Sequence, residues 1–528
     1  MSLDGFPPVS RRQLLLGAGA AGVVAVAGCA RDEDGETGQS GSSPTSNAAA
    51  GSSTAELFPQ PEVRQASQGA LATTLTCASG TVDAGGRTIA GHTYEGATPG
   101  PTLKLSPGDN LRIGLVNNLD SSAGGNGMGN GMGGGNGGGG GGGMQMGSGA
   151  ATNLHTHGLH VSPEGNQDNV FLMVEQGQTQ DYDIAIPESH WGGLNWYHPH
   201  HHGNVSVQVL GGMQGALIIS GPLDEVPEVA AVTEQVLVLQ RLQEGPAMIA
   251  RMSAMHDNAF LSANGNPTFA VNGQVNPRIT LRPSQVQRWR LLNADAIDYF
   301  DMALVDADGE DVPGALHILA FDGITLPSVR TVTRRRMVPG NRLEVLVQMP
   351  DVPGEVQLVG RAVPGFGQPD IVFATVDVAG DPVDSAIPET LPAQLTPIAA
   401  EEVRTRRRVQ FGSFTNAMTI NGVSFDQGPD EMEMVVGSVE EWTIENLSDQ
   451  DHAFHIHTNP FWVVAEGGVE LSEPAYFDTY AIPPATGPDS PGSLTVRFRP
   501  TQFTGRIVQH CHILPHEDAG MMGVVSLV

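Results

Sequence analysis

From about residue 70 onward, apolar residues come in short runs broken by Gly, Pro, Asn and Asp, and long stretches of helical periodicity are scarce. Short runs between turn residues predict strands, and many in series predict β-sandwiches. The segment Leu105 to Asn117 shows the pattern: a turn at Gly108, then apolar residues at alternate positions. Such alternation puts one face of a strand on a core and the other in water.

This segment recurs. Leu281 to Asn293 turns at Ser284, and Met434 to Asn446 turns at Gly437; in all three copies an Asn follows the turn by nine positions. A second element recurs as Phe269 to Gly273 and Met418 to Gly422, each a short strand ending in Asn-Gly, a pair that turns readily. The repeat predicts an all-β chain of three Greek-key β-sandwich domains. Pro-rich linkers place them at 66–225, 226–390 and 391–528.

The N-terminal part reads differently. Ser10-Arg11-Arg12-Gln13-Leu14-Leu15 is a twin-arginine pattern, and the apolar run after it ends at Gly28-Cys29. We read 1–29 as a twin-arginine lipoprotein-type signal with the lipid on Cys29; cleavage without lipid and an uncleaved anchor are the alternatives. That implies export to the cell surface or periplasmic side, with lipid as the sole membrane attachment. Residues 30–65, mostly small and polar, are expected to be a disordered tether.

Composition narrows the function. Acidic side chains outnumber basic ones 57 to 26, Lys104 is the only lysine, and the formal charge is −31, which argues against a nucleic-acid partner. The three cysteines, Cys29, Cys77 and Cys511, leave no disulfide framework. Cys77 reads as a small buried side chain.

The histidines carry the chemistry. They cluster at His155 and His157; at His198, His200, His201 and His202; at His452, His455 and His457; and at His510, Cys511, His512 and His516, with Met521 close behind. A thiolate with imidazoles and a weak axial Met suits a blue-copper site, and Cys511, His516 and Met521 fit one. In an extended strand Cys511 points one way and His510 and His512 the other. One metal on the sulfur and others across the strand would then be linked by a few covalent bonds. A lone His-x-His is often polar surface; four such clusters argue for metal.

With these motifs the chain resembles the multicopper oxidases, the laccase and cuprous-oxidase family, over about residues 70–528. The resemblance implies three cupredoxin-like domains with copper in the first and third, and the second copy of the repeat has no His after its Asn. It implies four copper ions. A type 1 copper would take His452, Cys511 and His516, with Met521 axial. A type 2 copper would take His155 and His455. The type 3 pair would take His157, His198 and His512, and His200, His457 and His510. It gives His201 and His202 no ligand role. Glu517 matches a family position on the proton route, and Asp168 one near the cluster, so both join Cys511, His510 and His512 as expected catalytic residues. The partners implied are O2 and a reductant, either a small phenol or aromatic amine, or Cu(I).

Three features bear on the reductant. Asn117 to His155 is 29 residues longer than Asn446 to His455, the length of the Gly-rich run 121–149 that carries Met128, Met132, Met144 and Met146. Thioethers there suit Cu(I), although the run also reads as a plain spacer. Met248, Met252 and Met255 have helical spacing, which fits a Cu(I) path or a core-packed helix. Against a dedicated cuprous oxidase, Ser448 and Gln450 stand where those enzymes carry Asp and Met before the type 1 His. A copper-storage lipoprotein and a copper nitrite reductase are further readings, which O2 consumption would separate from the oxidase. Three domains in one chain can enclose the cluster, so a monomer is expected.

Overall fold

The computed structural model of the protein describes residues 57–120, 150–243, 258, 267–413 and 417–528. The signal sequence, Cys29, the Gly- and Met-rich run 121–149 and Met248, Met252 and Met255 lie outside the described residues.

The chain is all-β, as its pattern implied. Six sheets make three sandwiches. The first pairs a five-stranded sheet ending on His155–His157 with a four-stranded sheet built on Ala70–Ala84. The second pairs six- and five-stranded sheets drawn from Glu234–Leu242 to Ile371–Val378. The third pairs two five-stranded sheets, one of which orders Glu431–Met434, Met522–Leu527, Gly505–Cys511, His452–Ile456 and Thr479–Ile482. Among the described residues no helix is long and apolar enough to cross a membrane.

The repeat is visible in the strand pairing. Asn110–Asn118, Val286–Asn293 and Glu440–Asn446 each pair in parallel with the first long strand of their own sandwich: Ala70–Ala84, Glu234–Leu242 and Thr405–Phe411. The recurring Asn has a physical reason. Asn117, Asn293 and Asn446 are fully buried. Each accepts a hydrogen bond from the backbone N–H two residues on, at 3.0, 3.2 and 2.9 Å. Each donates to a carbonyl of the loop that follows or its neighbour: Ala150, Asp298 and Gln450. A buried amide with both ends satisfied fixes the loop as it leaves the sheet. In the first and third copies that loop leads to the histidines. The Asn-Gly turns form as expected, with Asn272, Gly273, Asn421 and Gly422 all at positive φ.

One boundary differs. Residues 57–65, expected to be part of the tether, belong to the fold, and residues 30–56 lie outside the described residues. Phe58 is 1% exposed, stacks edge-on against Trp289 and donates its N–H to Gln235. Val63–Gln65 pairs in parallel with Thr102–Leu105. One aromatic and a three-residue strand are too short a signal for periodicity to reveal.

The first sandwich has its own core, while one continuous core runs through the second and third. Where all three meet, Leu514 packs against Val205, Val209, Leu210, Ala296 and Ile297. Asp518 fastens the same junction. Its carboxylate accepts the N–H groups of Gly203, Val205 and Ser206 and the Ser206 hydroxyl, and so satisfies the open start of the helix Val205–Leu210.

Candidate metal centre

The alternation expected across Cys511 is present. Its sulfur lies 3.6 Å from His452 Nδ1 and 3.8 Å from His516 Nδ1, and these two nitrogens are 3.2 Å apart. On the other side, His510 Nε2 is 3.1 Å from His200 Nε2, and His512 Nε2 is 3.2 Å from His157 Nδ1. Two pockets therefore share one short stretch of strand.

The sulfur pocket belongs to the third sandwich alone. His452 begins the strand His452–Ile456, Cys511 ends the strand Gly505–Cys511, and His516 lies in the single helical turn Leu514–Asp518. Met521 is fully buried beside them. Its carbonyl accepts the Cys511 N–H at 3.1 Å and its N–H donates to the His516 carbonyl at 3.0 Å, which closes the loop on itself. The outer nitrogen of His452 is 2.8 Å from Ser448 Oγ, one position that distinguishes the chain from the dedicated cuprous oxidases. Gly412, at positive φ, leaves room there: a Cβ would come within 3.2 Å of His452 Nε2.

The second pocket holds eight imidazoles: His155, His157, His198 and His200 from the first sandwich, and His455, His457, His510 and His512 from the third. None is more than 2% exposed. Strand register places them, since His155 pairs with His198 and His455 with His510. His155 stacks on His457 at 3.8 Å between ring centres, and His157 on His455 at 3.9 Å. Possible ligand atoms of His155, His455 and His457, of His155, His157 and His198, and of His200, His457 and His510 lie within 4.8 Å of one another in each trio. The cluster is continuous, so its rings interlock across any division among separate metals. His202 instead lies 3.0 Å from Asp426, and neither it nor His201 joins these groups.

The donor set fits metal. Burial pulls the pKa of His452, His200 and His510 down to about 3, and holds the other cluster imidazoles with a resolved shift well below the usual range. They are neutral at pH 7, as ligands must be. Nε2 of His155, His198, His455 and His457 is buried with no hydrogen-bond partner, a costly arrangement that a cation relieves. Burial also pushes the Cys511 thiol up to about 12, so metal binding there has to expel a proton.

Carboxylates surround the imidazole cluster. Asp168 lies 3.0 and 3.1 Å from His155 Nδ1 through its two oxygens and accepts the Thr156 N–H at 2.7 Å. Burial raises its pKa, but the interaction with His155 and these hydrogen bonds outweigh burial and hold it below the ordinary range. Glu517 lies 3.0 Å from His510 Nδ1 and 3.6 Å from His200 Nδ1, with no hydrogen bond to either oxygen. Burial, reinforced by Asp518 and opposed by His200, pushes it up to about 7.

The sequence reading missed part of the site. Asp478 lies 3.1 Å from His157 Nε2, and its carbonyl accepts from His455 Nδ1 at 2.7 Å. Arg342, from the second sandwich, holds Asp478 through two N–H groups at 2.7 and 2.5 Å, and Asp322 accepts the Arg342 backbone N–H at 2.9 Å. All three are buried. Two glycines make this possible. A Cβ on Gly158 would come within 2.2 Å of the Arg342 guanidinium. One on Gly340 would come within 3.0 Å of His512 and 3.1 Å of His157. The sandwich without histidine ligands therefore walls the cluster. The one local signal was an acid, Asp478, in the apolar stretch after Tyr476 and Phe477.

Three all-β sandwiches enclosing a buried Cys–His pocket beside an eight-imidazole cluster define a protein of the cupredoxin-based metal class. Family models described as multicopper oxidase match residues 148–224 and 395–527. A multicopper oxidase of Staphylococcus haemolyticus is 24% identical over 442 residues, covering 82% of this chain and 83% of the relative. Among solved structures, a Campylobacter jejuni multicopper oxidase described as a metallo-oxidase superposes with a TM-score of 0.67 at 23% identity, covering 89% of this chain and 96% of that one. A laccase-like multicopper oxidase of an Ochrobactrum species, described as active on lignin model compounds, superposes at 0.68 and 22% identity, covering 89% and 100%. The chain belongs to the multicopper oxidase family.

Proposed function

We propose that the protein oxidises a reductant one electron at a time at the Cys511 pocket and reduces O2 to water at the imidazole cluster. The observation that carries this reading is the placement of His510 and His512 on the far side of the strand from Cys511. It joins an electron-accepting pocket to a multi-metal pocket through one residue on either side. Four copper ions, one at Cys511 and three among the eight histidines, would supply the one-electron steps and the O2 chemistry.

His452, Cys511 and His516, with Met521, would hold the first copper. His155 and His455 would hold the type 2 ion. His157, His198 and His512, with His200, His457 and His510, would hold the type 3 pair. The protein's own groups supply the rest. Asp168 orients His155. Asp478, held by Arg342, orients His157 and His455. Reduction of O2 also consumes protons, and Glu517, whose pKa of about 7 leaves it part-protonated at neutral pH, can give and regain one beside His200 and His510.

The reductant is a small phenol or aromatic amine, or Cu(I). The chain acts as an exported monomer tethered through lipid on Cys29; the support for this is the Arg11-Arg12 pattern and the Cys29 context in the sequence.

The test is O2 uptake by the copper-loaded protein given a dimethoxyphenol, then Cu(I). Uptake with either supports the oxidase, and the faster one names the reductant class. Full copper loading with no uptake from either overturns it.

A further inference from the structure

Just past the strand His452–Ile456, the chain that bears His457 makes a strained turn. Among the described residues at positive φ that are not glycine, Thr458 is the only β-branched one, at 66°. Branching at Cβ makes that conformation costly. The Asn459 N–H donates to the His457 carbonyl at 2.7 Å, which closes a three-residue turn centred on Thr458. A γ-turn with its centre at positive φ is the rare and strained form. The Thr458 hydroxyl does not offset the strain, since it is buried with no hydrogen-bond partner among the described residues.

A contact from the first sandwich does. The Thr458 carbonyl accepts a hydrogen bond from His160 Nδ1 at 2.8 Å. His160 is itself firmly held. Its ring lies 5.4 Å from that of Trp191 and 5.1 Å from that of Phe503, centre to centre. Its backbone N–H donates to His190 Nε2 at 2.9 Å, and His190 Nδ1 donates to the Trp191 carbonyl at 2.6 Å. Burial lowers the pKa of both rings, that of His190 to about 4, so both are neutral at pH 7. A carbonyl can only accept, so each ring carries its proton on Nδ1. The first sandwich thus presents a donor of fixed tautomer and direction to the strained turn of the third.

The turn begins at a ring of the cluster. His457 stacks on His155 at 3.8 Å and shares a candidate ligand trio with it, whereas His160 belongs to no such trio. Relaxing Thr458 to an ordinary φ would redirect the chain where it leaves His457.

We propose that His160 is a positioning residue for the cluster: its hydrogen bond holds the strained turn at Thr458, and the turn holds His457 against His155. The proposal rests on the reading of His457 as a metal ligand. It needs no contact between His160 and the metal, because His160 acts through the backbone.

The test is the rate at which a chelator strips copper from the loaded full chain, read as metal content, with the blue absorption of the Cys511 pocket followed separately. His160→Phe keeps an aromatic ring and loses the donor. It is expected to speed copper loss from the cluster about tenfold while the blue absorption stays in place. His160→Asn, whose amide N–H stands near the position of Nδ1, should recover most of the difference. In a Thr458→Gly background, where glycine takes positive φ without strain, His160→Phe should change the rate by less than about twofold. A general packing role for His160 would give the same loss in both backgrounds. Equal losses, no effect of His160→Phe, or no recovery with His160→Asn would each overturn the proposal. If His160→Phe alone does not fold, recovery of folding by Thr458→Gly supports the proposal and failure to recover overturns it. His457→Ala separates this inference from the ligand reading. Full copper in that variant removes His457 from the ligand set and the proposal with it; cluster copper lost there but unaffected by His160→Phe overturns the proposal alone.

Discussion

The two pockets on either side of Cys511 are built by different rules. The sulfur pocket comes from one sandwich and one 70-residue span, His452 to Met521, with backbone hydrogen bonds closing its loop. Among the described residues no carboxylate is hydrogen-bonded to its side chains; the Ser448 hydroxyl supports His452. The imidazole cluster draws four rings each from the first and third sandwiches and a wall from the second, and Asp168, Asp478 and Glu517 stand around it. A local pocket needs only its own sandwich folded. An assembled one needs every interface closed, and it is the one around which the acids gather. The contrast implies that changes at docking contacts damage the cluster selectively.

The most drastic way to separate the pockets is Cys511→Ser. Turnover and the blue absorption should disappear, and metal analysis should show copper falling by about one equivalent with the cluster still loaded. Loss of all copper would mean that the pockets are not independent.

Next in size is Arg342→Met. It strands Asp478 and Asp322 without their counter-charge, at a cost of about 3–5 kcal/mol in stability. Copper should be lost from the cluster while the blue absorption of the Cys511 pocket persists. Thermal unfolding, copper content and visible spectra together check it.

Glu517→Gln gives a smaller effect with a definite sign. The folded protein holds the Glu517 proton up to about pH 7, against 4.5 for the free side chain. Between those values the folded state binds more protons than the unfolded one, so stability falls as pH rises through the window. In the copper-free protein the variant should lose up to about 3 kcal/mol of that slope. Denaturant midpoints at pH 4.5, 5.5 and 7 measure it, and an unchanged slope would contradict the assignment.

The smallest effect belongs to the sulfur pocket. Ser448→Ala removes the hydroxyl on His452 Nε2 and should cost about 1 kcal/mol. A shift of the blue band with the cluster's spectrum unchanged would confirm that the support is local.

What the sequence made legible follows the same division. The strand period of two fixed which way His510, Cys511 and His512 point, so the link between pockets was readable from three letters. The repeat with its buried Asn showed three sandwiches, because each copy solves the same loop problem. Arg342, Gly340 and Asp478 were not readable. They belong to the site through docking, and no spacing ties them to a histidine. Phe58 was missed for a like reason, since its burial comes from Trp289 and Gln235, far along the chain.

The glycine at 340 has a kinetic consequence. With the second sandwich pressed against His157 and His512 and no cluster ring more than 2% exposed, a metal ion has to pass between packed side chains to reach the imidazoles. Loading and loss are then gated by local opening of that interface, and exchange slows as the Arg342 contact is made stronger. The sandwich that contributes no histidine to the cluster would set the clock for the two that do.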